Sequence, residues 1–170
     1  TDDGLFFYDP KTKKVSSRLA NKTGLSAVNR MIVYGRNELI LATNDGVFTL
    51  DIHTQKVSEK FGRWKEKMGE VSATDVYKYR DFGWVICTKS QGLYVIYDDG
   101  EIHQSTEDIF QKSALLNNAT NLIYRDNAGF LWIGSQRGLS VFDPANKEIL
   151  GVGPSGNEDS GIPTPSVWSF

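Results

Sequence analysis

Asn121-Leu-Ile-Tyr-Arg-Asp-Asn-Ala-Gly-Phe-Leu-Trp-Ile-Gly-Ser-Gln-Arg-Gly-Leu-Ser-Val-Phe-Asp143 reads as three short strands separated by two tight turns. Leu122 to Tyr124 is apolar and β-prone. Asp126-Asn-Ala-Gly129 has turn chemistry, because Asp and Asn tolerate a left-handed backbone and Gly adopts it without penalty. Phe130 to Ile133 is a second apolar run, Ser135-Gln-Arg-Gly138 turns the chain again, and Leu139 to Phe142 is a third strand. Asp143-Pro144 stops it, since proline has no N–H to give to a ladder. Strands this close in sequence pair as an antiparallel meander.

Working outward, the turn before the third strand recurs. Thr1-Asp-Asp-Gly4, Thr43-Asn-Asp-Gly46, Thr88-Lys-Ser-Gln-Gly92 and Ser135-Gln-Arg-Gly138 each lead into an apolar strand that ends on an aspartate, at Asp9, Asp51, Asp98 and Asp143. The glycines lie 42, 46 and 46 residues apart. Two apolar strands precede three of these turns, and a polar turn with a weaker strand follows each aspartate. Four strands per repeat of about 40–50 residues is the pattern of a β-propeller blade. One such meander has two apolar faces and covers neither alone, so blades stack. A sheet covered on both faces shows unbroken apolar runs instead of alternation.

With strands lettered A (inner) to D (outer), the chain runs C-D, then three times A-B-C-D, and finishes on an A strand at Ser166-Val-Trp-Ser-Phe170. The fold class expected is therefore all-β, a partial propeller over residues 1–170 without a separate second domain. Such a chain reads as part of a larger ring of about six to eight blades. The crossover over Phe61 to Ser72 is expected to hold one helical turn, and the one over Ser105 to Ala119 a short helix capped by Thr106. Gly153 to Pro165 is expected to be an extended loop.

Composition narrows the function. A 39% hydrophobic, 12% aromatic chain builds a core. A net charge of −2 without a basic stripe argues against nucleic acid. No apolar run approaches the ~18 residues of a membrane span. The single Cys87 reads as a small buried hydrophobe. His53 and His103 are placed in equivalent outer turns after C strands, well separated, so neither a metal site nor a cofactor is expected. Asp98-Asp-Gly-Glu101 reads as a hairpin turn, since it lacks the further ligands of a calcium loop. No catalytic set converges, so the segment is not expected to be an enzyme.

Asp126 to Asp143 closely resembles the two-component regulator propeller repeat: Asp-x-x-Gly-x-Leu-Trp-Ile-Gly-Thr, two residues, Gly-Leu, and a strand ending in an aromatic plus Asp. Ser135 stands for the Thr, which Thr43 and Thr88 restore. In the second repeat Ile40 aligns with the Trp, and in the third Trp84 sits one place early and Cys87 replaces the Gly. The resemblance implies a seven-bladed propeller in the periplasmic sensor of a hybrid histidine kinase. Such sensors detect oligosaccharides and regulate polysaccharide-utilisation genes by phosphorelay. It also implies further blades and a β-sandwich in the same chain and a homodimeric parent, with no membrane contact by this segment. The alternative is a propeller scaffold for protein–protein contact.

Candidate ligand contacts lie on the face shared by the D-to-A crossovers and the B–C turns, where propellers commonly bind. They are Trp64 with its neighbours Arg63 and Lys65, and the turn residues Asn44, Lys89, Gln136 and Arg137. Aromatic rings stack on sugar faces, and charged or amide groups bond their hydroxyls. The alternative is loop packing for Trp64 and ordinary solvated turns for the others. Trp84 and Trp132 on B strands, and Gly4, Gly46, Gly92 and Gly138, are expected to be structural.

Overall fold

A computed structural model describes residues 5–16, 25, 27–80, 82–108, 113–152 and 166–167. Two compact units are present, Thr1–Ala73 and Thr74–Phe170. In the first, β1 (Phe7–Asp9) and β2 (Lys14–Ser16) form a two-stranded hairpin. A four-stranded antiparallel sheet follows in the order β3 (Val28–Tyr34), β4 (Glu38–Thr43), β5 (Gly46–Asp51), β6 (Val57–Glu59). Leu41 and Leu50 are buried at its centre, with Leu5, Phe7, Leu25 and Val57 packed against them.

The second unit holds two further sheets of the same order. One is β7 (Ala73–Tyr79, whose first residue closes the first unit), β8 (Gly83–Thr88), β9 (Leu93–Tyr97) and β10 (Ile102–Ser105). The other is β11 (Thr120–Arg125), β12 (Leu131–Ser135), β13 (Gly138–Asp143) and β14 (Glu148–Val152). Every residue of β8 and β9 is buried, as the unbroken apolar runs require. Val85, Cys87 and Val95 of one sheet share a core with Ile123, Leu131, Ile133 and Phe142 of the other. These are four-stranded propeller blades, three of them whole, preceded by the outer hairpin of another.

One hydroxyl at the end of each second strand organises the turn that follows. Thr43 Oγ1 donates to the Gly46 carbonyl at 3.0 Å and accepts the Asp45 N–H at 3.1 Å. Thr88 Oγ1 does the same with the Gly92 carbonyl (2.7 Å) and the Gln91 N–H (2.8 Å). Ser135 Oγ repeats it with the Gly138 carbonyl (2.9 Å) and the Arg137 N–H (3.2 Å). All three hydroxyl-bearing residues are buried. Burial of main-chain polar groups is tolerated only when they are bonded, which explains the Thr/Ser of the motif. Gly92 has φ +78° and a Cβ there would run into the Ser105 carbonyl, so glycine is required.

A second device repeats on the inner strands. Asn29 Nδ2 donates to the Ala73 carbonyl at 2.8 Å within the first unit. In the second unit Thr74 Oγ1 donates to the Thr120 carbonyl at 2.7 Å, and Asn121 Nδ2 to the Val167 carbonyl at 3.0 Å. The acceptors lie 44, 46 and 46 residues on, one repeat ahead. Asp75, almost fully buried, adds a further tie: Oδ2 accepts the Ile123 N–H at 2.9 Å and Oδ1 its neighbour's N–H, that of Val76, at 2.8 Å.

The aspartate series divides. Asp9, Asp51 and Asp143 accept N–H groups two or three residues on, from Lys11, Thr54 and Ala145, and so cap the C–D turns. Asp98 instead receives the Lys78 ammonium at 2.8 Å, while Asp99 takes the Glu101 N–H and Gly100 bends the chain at φ +94°. This shorter turn starts the outer strand earlier, which corrects the placing of His103: it lies on β10, edge-on to Tyr97, whereas His53 is in a turn. Helical structure in the Phe61 to Ser72 crossover is confirmed, as a 3-10 turn at Gly62–Trp64 running into α1 (Lys65–Met68). No helix starts at Thr106, because Glu107 instead bridges Leu115 in parallel; the rest of the helix expected there, residues 109–112, lies outside the described residues. So do Gly4, the 153–165 loop and most of the final inner strand, of which Val167 donates its N–H to the Ser135 carbonyl at 2.9 Å.

Replacing Thr88 by valine keeps the volume but strips both turn bonds. Leaving the Gln91 N–H without that acceptor, while the Gly92 carbonyl keeps the Thr120 hydroxyl, is expected to cost about 1–3 kcal/mol. Thr88→Ser, which restores the geometry Ser135 already uses, recovers most of that loss. Urea unfolding of the three proteins checks it, and equal midpoints for Thr88→Val and the parent would refute the role.

Candidate functional site

A concavity lies in the first unit, between the β4–β5 turn and the crossover after β6. The crossover folds there because Phe61 and Met68 are buried and anchor its two ends. Between them the Trp64 N–H reaches the Phe61 carbonyl at 2.9 Å, and the Gly69 N–H caps the helical turn on the Lys65 carbonyl at 2.8 Å. Gly69, at φ +68°, then reverses the chain toward Val71.

The result is a cavity of about 230 Å³. Its buried lining is Val47, Phe61, Met68 and Val71. Its exposed lining is Asn44, Asp45, Glu59, Lys65 and Glu70. Lys65 Nζ approaches Glu59 Oε1 at 3.9 Å with both groups solvated, a loose pair. Asn44 Oδ1 accepts Asn29 Nδ2 at 3.0 Å and Ser72 Oγ at 3.3 Å, so its amide plane is fixed from behind. The same Asn29 amide donates to Ala73, which links the cavity wall to the inner-strand tie.

Of the residues singled out from the sequence, Asn44 and Lys65 meet in this cavity. Trp64 and Arg63 do not line it. Trp64 is half-buried, edge-on to Phe61 with ring centroids 5.7 Å apart, and the Arg63 guanidinium lies 3.7 Å from its ring centroid. One face of the indole is thereby occupied by a cation–π contact. Lys89, Gln136 and Arg137 are exposed on B–C turns of the second unit. Sequence reasoning missed the carboxylates Asp45, Glu59 and Glu70 and the buried Asp75. The signal for Asp75 was an acid within the apolar inner strand Ala73-Thr-Asp-Val76. The other three carry no periodic signal, because they come from a turn, an outer strand and a crossover.

The two B-strand tryptophans differ. Trp84 is buried and pairs with Ile96, with the Lys78 ammonium 5.8 Å from its ring centroid. Its one-place offset puts it on the opposite face of β8 from Val85 and Cys87. Trp132 is half-buried, and its indole N–H donates to Asp126 Oδ2 at 2.9 Å across its own A–B turn. Cys87 is fully buried, and burial first, with the Asp75 charge second, pushes its thiol well above the ordinary range, so it is an unreactive thiol.

No family model matches the chain, and no curated protein matches it. Solved structures do. The extracellular domain of a proposed hybrid two component system, BT3049 from B. thetaiotaomicron, matches with a TM-score of 0.68 and 16% identity over 96% of this chain. That of a second, BT4673 from the same organism, matches with a TM-score of 0.75 and 16% identity over 98%. At this identity the likeness is one of fold. It is the same kind of protein that the Asp126–Asp143 motif resembles. The chain spans 27% and 22% of their respective lengths.

The Asp126 carboxyl is held below its ordinary value, chiefly by the Trp132 indole N–H and then by main-chain N–H groups of its turn. A depressed folded value stabilises the turn above the unfolded carboxyl's range, and that contribution disappears as pH falls through the folded value. Carboxyl NMR titration is expected to show Asp126 below a free aspartate, with Trp132→Phe moving it upward. An unmoved midpoint would remove Trp132 as the cause.

Proposed function

We propose that this chain is a blade-bearing segment of the extracytoplasmic, periplasmic sensor of a hybrid two-component protein. In this reading it helps detect an oligosaccharide, and a histidine kinase in the parent chain passes the signal by phosphorelay to polysaccharide-utilisation genes. The observation that carries it is the match of three whole blades, over nearly all of the chain, to extracellular domains of proposed two component systems. Among the described residues no helix is long and apolar enough to cross a membrane. The segment itself acts without catalysis. The remaining blades, a β-sandwich of the same chain and a second copy of the parent are its partners.

Ligand contact is assigned to Asn44 and Lys65 in the cavity, with Trp64 and Arg63 beside it and Lys89, Gln136 and Arg137 on the turns of the second unit. A ligand moves such a switch only through different affinities for two states. The link from Asn44 through Asn29 to Ala73 gives that difference a material basis, since a ligand drawing on the Asn44 amide bears on a bond at the next repeat.

A second reading, a scaffold for protein contacts, is favoured by β3, where Met31 is 50% and Val33 77% exposed. A thermal-shift screen of the full chain against plant, host and microbial oligosaccharides separates the two. A ligand that binds only the native state at a hundredfold excess over Kd adds about 2.7 kcal/mol. The sensor reading expects a raised midpoint with one glycan class. A cooperative melt unmoved by the whole panel would leave the scaffold.

A further inference from the structure

No further inference is drawn: the strongest candidate, the apolar face of the β11–β14 sheet on which Tyr124, Trp132, Val141 and Leu150 stand in register, belongs to the stacking of blades already described and calls for no occupant beyond the further blades already proposed.

Discussion

The structure depends on a buried hydroxyl. At the end of each second strand a Thr or Ser both donates to and accepts from the turn that launches the third strand. Without it, a tight turn whose first residue is buried would hold unpaired main-chain groups, a cost comparable to a lost hydrogen bond at each. With it, the strand pair keeps its register while both faces of the sheet are covered. That requirement explains the spacing of Thr/Ser and Gly better than turn propensity does. The third repeat lengthens the turn by one residue, and Thr88 still reaches the Gly92 carbonyl.

The inner-strand ties work at the next level. A blade cannot bury its faces alone, so its stability is shared with its neighbour. In the second unit the sharing is visible in two forms: an apolar core drawn from both sheets, and directional bonds from Thr74 and Asp75 to the Thr120 carbonyl and the Ile123 N–H. The apolar core supplies most of the driving force but no direction, whereas the bonds fix which residue meets which. Thr120 is the densest node. Its hydroxyl takes the Thr88 N–H at 2.9 Å and lies 3.1 Å from both the Thr88 and the Gly92 carbonyls, so the turn device of one blade and the inner strand of the next share an atom.

The same economy shapes the candidate site. Phe61 and Met68 fold the crossover by burying their own side chains, and the cavity is what remains between that crossover and the Asn44 turn. Asn44 belongs to both systems, as cavity wall and as acceptor of the Asn29 amide that reaches Ala73. A change in its bonding therefore bears on the Asn29–Ala73 tie. The indole of Trp64, in contrast, spends its surface on Phe61 and Arg63.

The repeat, the blade type, the strand order and the position of the B–C glycines were legible in the sequence, because each follows from local chemistry repeated at a fixed spacing. The helical turn near Trp64 was legible too, from a composition shift in one crossover. What escaped was whatever depends on distance in space. The His103 position changed because β10 starts four residues after Asp98, whereas β6 starts six residues after Asp51. The ties of Asn29, Thr74 and Asn121 join residues 44 to 46 apart, and a polar residue in an inner strand does not announce its acceptor. The cavity carboxylates are drawn from segments with no common period. Sequence alone determined that this chain folds as propeller blades, since hydrophobic pattern and turn chemistry act between near neighbours. Only the tertiary structure decided where a ligand-sized space lies and what charge surrounds it, since a cavity is the gap left when distant segments pack.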